Sequence, residues 1–142
     1  MHCFKRAGML REVAVADAYS LREQARTITS RHRQDEATPS KAAFLVAAEA
    51  FVKCAVAAPK ETRAYYRIAG ECFVNHGDNL KAAQVYLDAE EYTIAAQLYR
   101  KEGHFDDVVH VVRSYRDRMQ PNVVESILNI VRLFYLRNFE LE

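Results

Sequence analysis

The sequence predicts an all-α protein of antiparallel helical hairpins stacked in a row as a solenoid. Three observations predict it. Ala82-Ala83-Gln84-Val85-Tyr86 returns thirteen positions later as Ala95-Ala96-Gln97-Leu98-Tyr99, with fainter copies one step back at Ala69-Gly70-Glu71-Cys72-Phe73 and one step on at Val108-Val109-His110-Val111-Val112. Only four Gly and three Pro interrupt 142 residues, and they fall where helices should stop and start. Between them the apolar residues keep the 3.6-residue helical period, not the alternation of a strand. Thirteen residues make about three helical turns and a tight turn, so each copy is one short helix and successive copies run antiparallel. Each hairpin has a face too apolar for water, and the next hairpin covers it, so the stack grows by lateral burial.

The elements follow in order. Met1 to Arg6 reads as the last turns of a helix closed by Ala7-Gly8. The chain is therefore expected to open in mid-hairpin and to be part of a longer protein. A long helix from about Met9 to Arg33 carries Ala14, Ala18, Leu21, Ala25 and Ile28 on one stripe. A polar loop is expected over about 33–39, with Thr38 as N-cap and Pro39 at the first helical position of the next element. Ser40 to Ala58 is mostly apolar, broken by Lys41, Glu49 and Lys53. It is too short and too charged for a membrane span, so it reads as a buried central helix with Glu49 and Lys53 as a favourable i,i+4 pair. From about Pro59 to Asn75, the residues Tyr65, Ile68, Ala69, Cys72 and Phe73 share one helical face. Gly77 then stops that helix and Asp78 caps a new one running from Leu80 to Ala89, followed by helices Tyr92 to Glu102 and Phe105 to about Met119. Pro121 starts an apolar terminal helix over about 121–138. The most regular repeats span about 65–115, and the whole chain, 1–142, is expected to form a single helical-repeat domain.

Composition excludes several function classes. Twenty basic and nineteen acidic residues leave a net charge of +1, so no bulk field draws the chain to nucleic acid or an anionic membrane. Three cysteines without a C-x-x-C pair point to reduced thiols in an intracellular, cytoplasmic or nuclear setting. The charged N-terminal residues do not read as an export signal. There is no G-x-x-x-x-G-K-[ST] phosphate loop, no G-x-S-x-G elbow and no H-E-x-x-H pair. His104, Asp106, Asp107 and His110 are the nearest approach to a metal cluster, since Asp106 and His110 stand i,i+4. The first turn of a helix favours such carboxylates without any ligand, so no catalytic residue, metal or cofactor is assigned.

Within 65–115, Ala83, Tyr86, Tyr92, Ala95, Tyr99 and the Gly103 turn resemble the small–aromatic pattern of tetratricopeptide repeats and related short-hairpin α-solenoids. The resemblance implies a right-handed superhelix. Two departures, the missing closing proline at Asp107 and the irregular helices before residue 60, imply a degenerate array. CFKRAGMLREVAVADAY and AAQLYRKEGHFDDVVHVV further resemble the helical repeat region of large fungal UvrD-like helicases, also described as tetratricopeptide and ankyrin repeat proteins. That likeness implies an accessory region without the motor core.

The function expected is a non-catalytic helical-repeat scaffold that binds a protein or peptide partner or other domains of a larger polypeptide. The alternative is an accessory helicase region that touches nucleic acid. Phe73, Ala83, Tyr86, Ala95, Tyr99 and Phe105 are assigned to packing between repeats. Tyr66, Tyr92, Arg100, Arg113, Arg116, Leu133 and Phe134 are the candidate partner-binding residues, exposed aromatics and arginines being the usual anchors of an interface. Arg113, Arg116 and Arg118 close one helix, as Arg22, Arg26, Arg31 and Arg33 close another, where positive charge offsets the helix dipole. From Val123 to Leu141 apolar residues cover more than one helical face, so that helix is expected to fold back on the stack, to be covered by the next repeat of a longer protein, or to meet another chain, including self-association. No membrane partner is expected.

Overall fold

A computed structural model shows the fold of residues 2–31 and 38–141, and the side chains of residues 11–28 and 41–138. Among the described residues there are seven α-helices and no strand: α1 (His2–Arg31), α2 (Thr38–Ala57), α3 (Thr62–His76), α4 (Asn79–Asp88), α5 (Tyr92–Lys101), α6 (Phe105–Tyr115) and α7 (Pro121–Leu141), with a 3-10 turn at Arg116–Arg118 between the last two. Each helix from α1 to α6 packs on its neighbour in sequence, and α7 rests on both α5 and α6. No described helix is long and apolar enough to cross a membrane.

The thirteen-residue echo is copied into the backbone. Asp78 N–H donates to Phe73 C=O (3.0 Å), Glu91 N–H to Tyr86 C=O (2.9 Å) and His104 N–H to Tyr99 C=O (2.9 Å). The residues that turn the chain are Gly77 (φ 103°), Glu90 (φ 60°) and Gly103 (φ 78°), again thirteen apart. Each closes a helix with a left-handed residue and returns a later N–H to the last turn. The next helix then starts at once: Ala82, Ala95 and Val108 N–H donate to the carbonyls of Asp78, Glu91 and His104. Asp78 also caps α4 with its carboxylate, accepting from Lys81 N–H at 3.1 Å. At the next step Arg116 stays right-handed (φ −50°, ψ −40°), and the periodicity ends there.

Between the turns, small residues let the helix axes approach and aromatics fill what remains. Ala69, Ala82, Ala83, Ala95 and Ala96 are fully buried, and Phe73, Tyr86 and Tyr99 are buried beside them. Phe105, assigned to the same role, is half-buried and packs against the core. Tyr19 meets Phe51 edge to face at 5.1 Å across α1 and α2, and Phe51 meets Tyr65 at 6.4 Å across α2 and α3. Burying one such ring contributes on the order of 1.5 to 3 kcal/mol.

Several expectations need correction. Gly8 does not end a helix, for α1 runs through it from His2 to Arg31. A glycine in a helix interior costs only about 1 kcal/mol, which neighbouring alanines and leucines outweigh. On the predicted stripe Ala18 and Ala25 are buried, but Ala14 is exposed. Thr38 and Pro39 already belong to α2, and the remainder of the predicted loop lies outside the described residues. Pro59 lies in the turn after α2 instead of opening α3, which begins at Thr62, whose hydroxyl donates to the Ala58 carbonyl at 2.8 Å. Glu49 and Lys53 are both exposed, and no ion pair joins them among the described residues. Helix α6 stops at Tyr115, short of Met119.

Candidate interaction surface

The surface is built where the repeat gives out. After the 3-10 turn the buried Met119 takes an extended conformation and redirects the chain. Gln120 N–H then donates to the hydroxyl of Thr93 on α5 (3.4 Å). Val124, Ile127 and Val131, at i, i+3 and i+7, are buried and hold the first turns of α7 on the stack. Further along, Phe134 stacks on Phe105 (centroids 4.2 Å apart) and the Tyr135 hydroxyl donates to the Asp106 carboxylate (2.5 Å). These contacts join the end of α7 to the start of α6, so the two helices run antiparallel.

A groove of about 660 Å³ lies along their seam, with Val109, Leu128 and Val131 along its floor. Tyr135 and Leu136 extend the apolar surface, and Arg113 and Arg132 stand beside it. The outer side of α7 stays open: Leu133 is 64% exposed, Leu136 60%, Tyr135 42% and Phe134 36%. The Asp106 hydrogen bond, followed by partial burial, raises the Tyr135 phenol above the ordinary tyrosine value.

Charge around the groove is mainly positive. Arg113, Arg116, Arg132 and Arg137 have no ion-pair partner among the described residues, whereas Arg26 reaches Glu23 and Glu71, Arg63 reaches Glu90 and Arg67 reaches Glu91. Asp106, the nearest acid on α6, is engaged by Tyr135. Of the N-terminal cluster named from sequence, Arg26 is paired, Arg22 has no ion-pair partner among the described residues, and the side chains of Arg31 and Arg33 lie outside the described residues.

The predicted site residues do not all meet. Arg113, Leu133 and Phe134 share the α6–α7 end, and Arg116 is exposed on the adjoining 3-10 turn. Tyr66, on α3, and Arg100, on α5, are half-buried elsewhere in the stack. Tyr92 is buried and lies flat on Tyr115, 3.9 Å between centroids and 7° between planes, so its ring serves packing and is no surface anchor. Leu128 and Leu136 belong to the apolar faces read from the sequence of this helix but were not assigned to the site, and Arg132 was missed; their i, i+4, i+8 spacing on α7 was the available signal.

Other places offer less. His104 Nδ1 sits 3.3 Å from the Asp107 carboxylate, and among the described residues no three His, Cys, Asp or Glu side chains gather closely enough to hold a metal. A second opening of about 700 Å³ lies where α1 passes the α2–α3 turn, and it mixes Arg11 and Lys60 with Glu12 and Glu61 around Val15 and Tyr65. Known proteins add no candidate. The chain matches no family model, no curated protein and no solved structure.

Proposed function

We propose that this chain is a non-catalytic helical-repeat module, of the right-handed tetratricopeptide-like kind, that binds a protein partner through the α6–α7 end of its stack. The observation that carries the reading is the open apolar side of α7. Leu133 and Leu136 are more than half exposed while Val124, Ile127 and Val131 of the same helix are buried, so α7 carries an apolar face that the described stack does not cover. Contiguous exposed apolar surface of this kind is typical of interaction sites.

Neither described cysteine offers a nucleophile. Cys54 and Cys72 are free and buried, and burial pushes both thiols up, Cys72 to about 11. That is the opposite of an activated nucleophile.

A nucleic-acid contact, as in an accessory region of a UvrD-like helicase, is the second reading, and the unpaired arginines favour it. Tyr115, the ring nearest them in sequence, has one face taken by Tyr92, which removes a platform for base stacking.

Site-specific photo-crosslinking in cells decides between them. A photoreactive residue at position 136 should give an adduct of discrete mass with one protein, and the same residue at position 97, exposed on α5, should not. Nucleic-acid adducts at 136 would favour the second reading. Equal labelling at both positions would remove the first.

A further inference from the structure

We infer that the α6–α7 groove receives an acidic amphipathic helix, apolar along one face and flanked by Glu or Asp. This deepens the functional reading above and rests on it.

The shape comes from two antiparallel helices that leave a valley between them. Its floor is Val109 from α6 with Leu128 and Val131 from α7. A helix seats in such a valley by placing its i, i+3, i+4 and i+7 side chains between the ridges of the two walls. The charge comes from the next turn on each wall: Arg113 follows Val109 by four residues and Arg132 follows Leu128 by four, so a cation stands beside the floor on both sides. Neither has an ion-pair partner among the described residues. An occupant with carboxylates flanking its apolar face satisfies both walls at once.

The other occupants fit less well. A two-fold dimer of this chain through the groove would bring Arg113 and Arg132 against the same arginines of its copy, and like charges across an interface cost affinity. A nucleic acid would leave the valine and leucine floor without a complement.

The test uses the full chain and a fluorescent synthetic helix of about five turns, with leucines along one face and Glu, Gln or Lys at the flanking positions. Anisotropy titrations should rank the peptides Glu, Gln, Lys. The Glu peptide should bind about 2- to 30-fold more tightly than the Gln peptide, as expected for two exposed ion pairs, and high salt should shrink the difference. Leu136→Ser should weaken all three. Arg113→Glu with Arg132→Glu should reverse the ranking in favour of Lys, and the milder Arg113→Gln with Arg132→Gln should flatten it.

Equal affinity for the Glu and Gln peptides, or no binding of any peptide, would overturn the inference. So would single-stranded DNA displacing the Glu peptide, or a concentration-dependent dimer in sedimentation that Leu136→Ser disperses. If crosslinking at 136 finds a protein while the Glu and Gln peptides bind alike, only the acidic class falls; if crosslinking finds none, the functional reading falls with it.

Discussion

Gly70 and Tyr86 touch so closely at the α3–α4 crossing that a Cβ on Gly70 would lie 2.8 Å from Tyr86 Cε2 and 2.9 Å from Cζ. Gly70 occupies the position that Ala83 and Ala96 fill in the later copies, so the missing methyl group makes room for the aromatic ring. Tyr86 is buried, and the ring cannot swing into solvent to make space.

Gly70→Ala is therefore expected to destabilise by about 1 kcal/mol, because overpacking of about 1 to 3 kcal/mol exceeds the helix-propensity gain of up to about 1 kcal/mol. Tyr86→Ala alone should cost about 3 kcal/mol. In the Tyr86→Ala background the sign of Gly70→Ala should reverse, since only the propensity gain remains. Urea unfolding of the four proteins in a double-mutant cycle measures this coupling.

The three left-handed turn residues predict a graded series. Glu90 adopts φ 60° without being a glycine, a conformation that costs an ordinary residue about 1 to 2 kcal/mol. Its ion pair with Arg63 is exposed on both sides and contributes about 1 kcal/mol at most. Glu90→Gly should stabilise the protein by about 0.5 to 1 kcal/mol, and Gly103→Ala should destabilise it by about 1 kcal/mol. Shifts of the urea midpoint at unchanged slope are the readout.

Stability should fall in strongly alkaline solution, as tyrosine protons that the fold holds are lost. A hydrogen bond from the Tyr65 hydroxyl to the Glu61 carboxylate (2.6 Å), followed by burial, pushes Tyr65 up to about 12. The folded state thus holds this proton more tightly than the unfolded chain. Its contribution is complete below the ordinary tyrosine value of about 10 and is lost as pH rises through about 12. Burial moves Tyr86 and Tyr99 in the same direction. Urea midpoints measured across this window should decline, and Tyr65→Phe should make the decline shallower.

Cys72 should resist alkylation in the folded protein. The residue is 1% exposed and its thiol is raised to about 11 by burial, so both access and thiolate are scarce. Mass spectrometry after brief iodoacetamide treatment should find Cys72 unlabelled in buffer and labelled in urea. Rapid labelling in buffer would show that α3 does not stay packed on its neighbours.

The regular part of the stack was legible because its local signals agree: Gly77 and Asp78 carry both the stop and the cap, and the alanine–aromatic echo fixes α4, α5 and α6. Glu90 was invisible by residue type, since glutamate has no preference for positive φ. Only its spacing, midway between Gly77 and Gly103, announced it. Gly8 misled because a glycine ends a helix only where the chain needs the left-handed turn, and packing, not composition, decides that. Tyr92 reads as an anchor in sequence because its partner Tyr115 lies 23 positions away and meets it only through the α5–α6 hairpin. The groove was half legible. Leu133, Phe134 and Arg113 stood out singly, but the wall holding Arg132 exists only once α7 lies against α6.

Hydrogen exchange of a Val108→Ala variant, followed segment by segment, tests most directly that helices support mainly their sequence neighbours. Val108 is fully buried in α6. A row of sequential contacts predicts that protection falls in α5, α6 and α7 while α1, α2 and α3 keep theirs. Equal loss along the whole chain would mean one cooperative core and would contradict the stack.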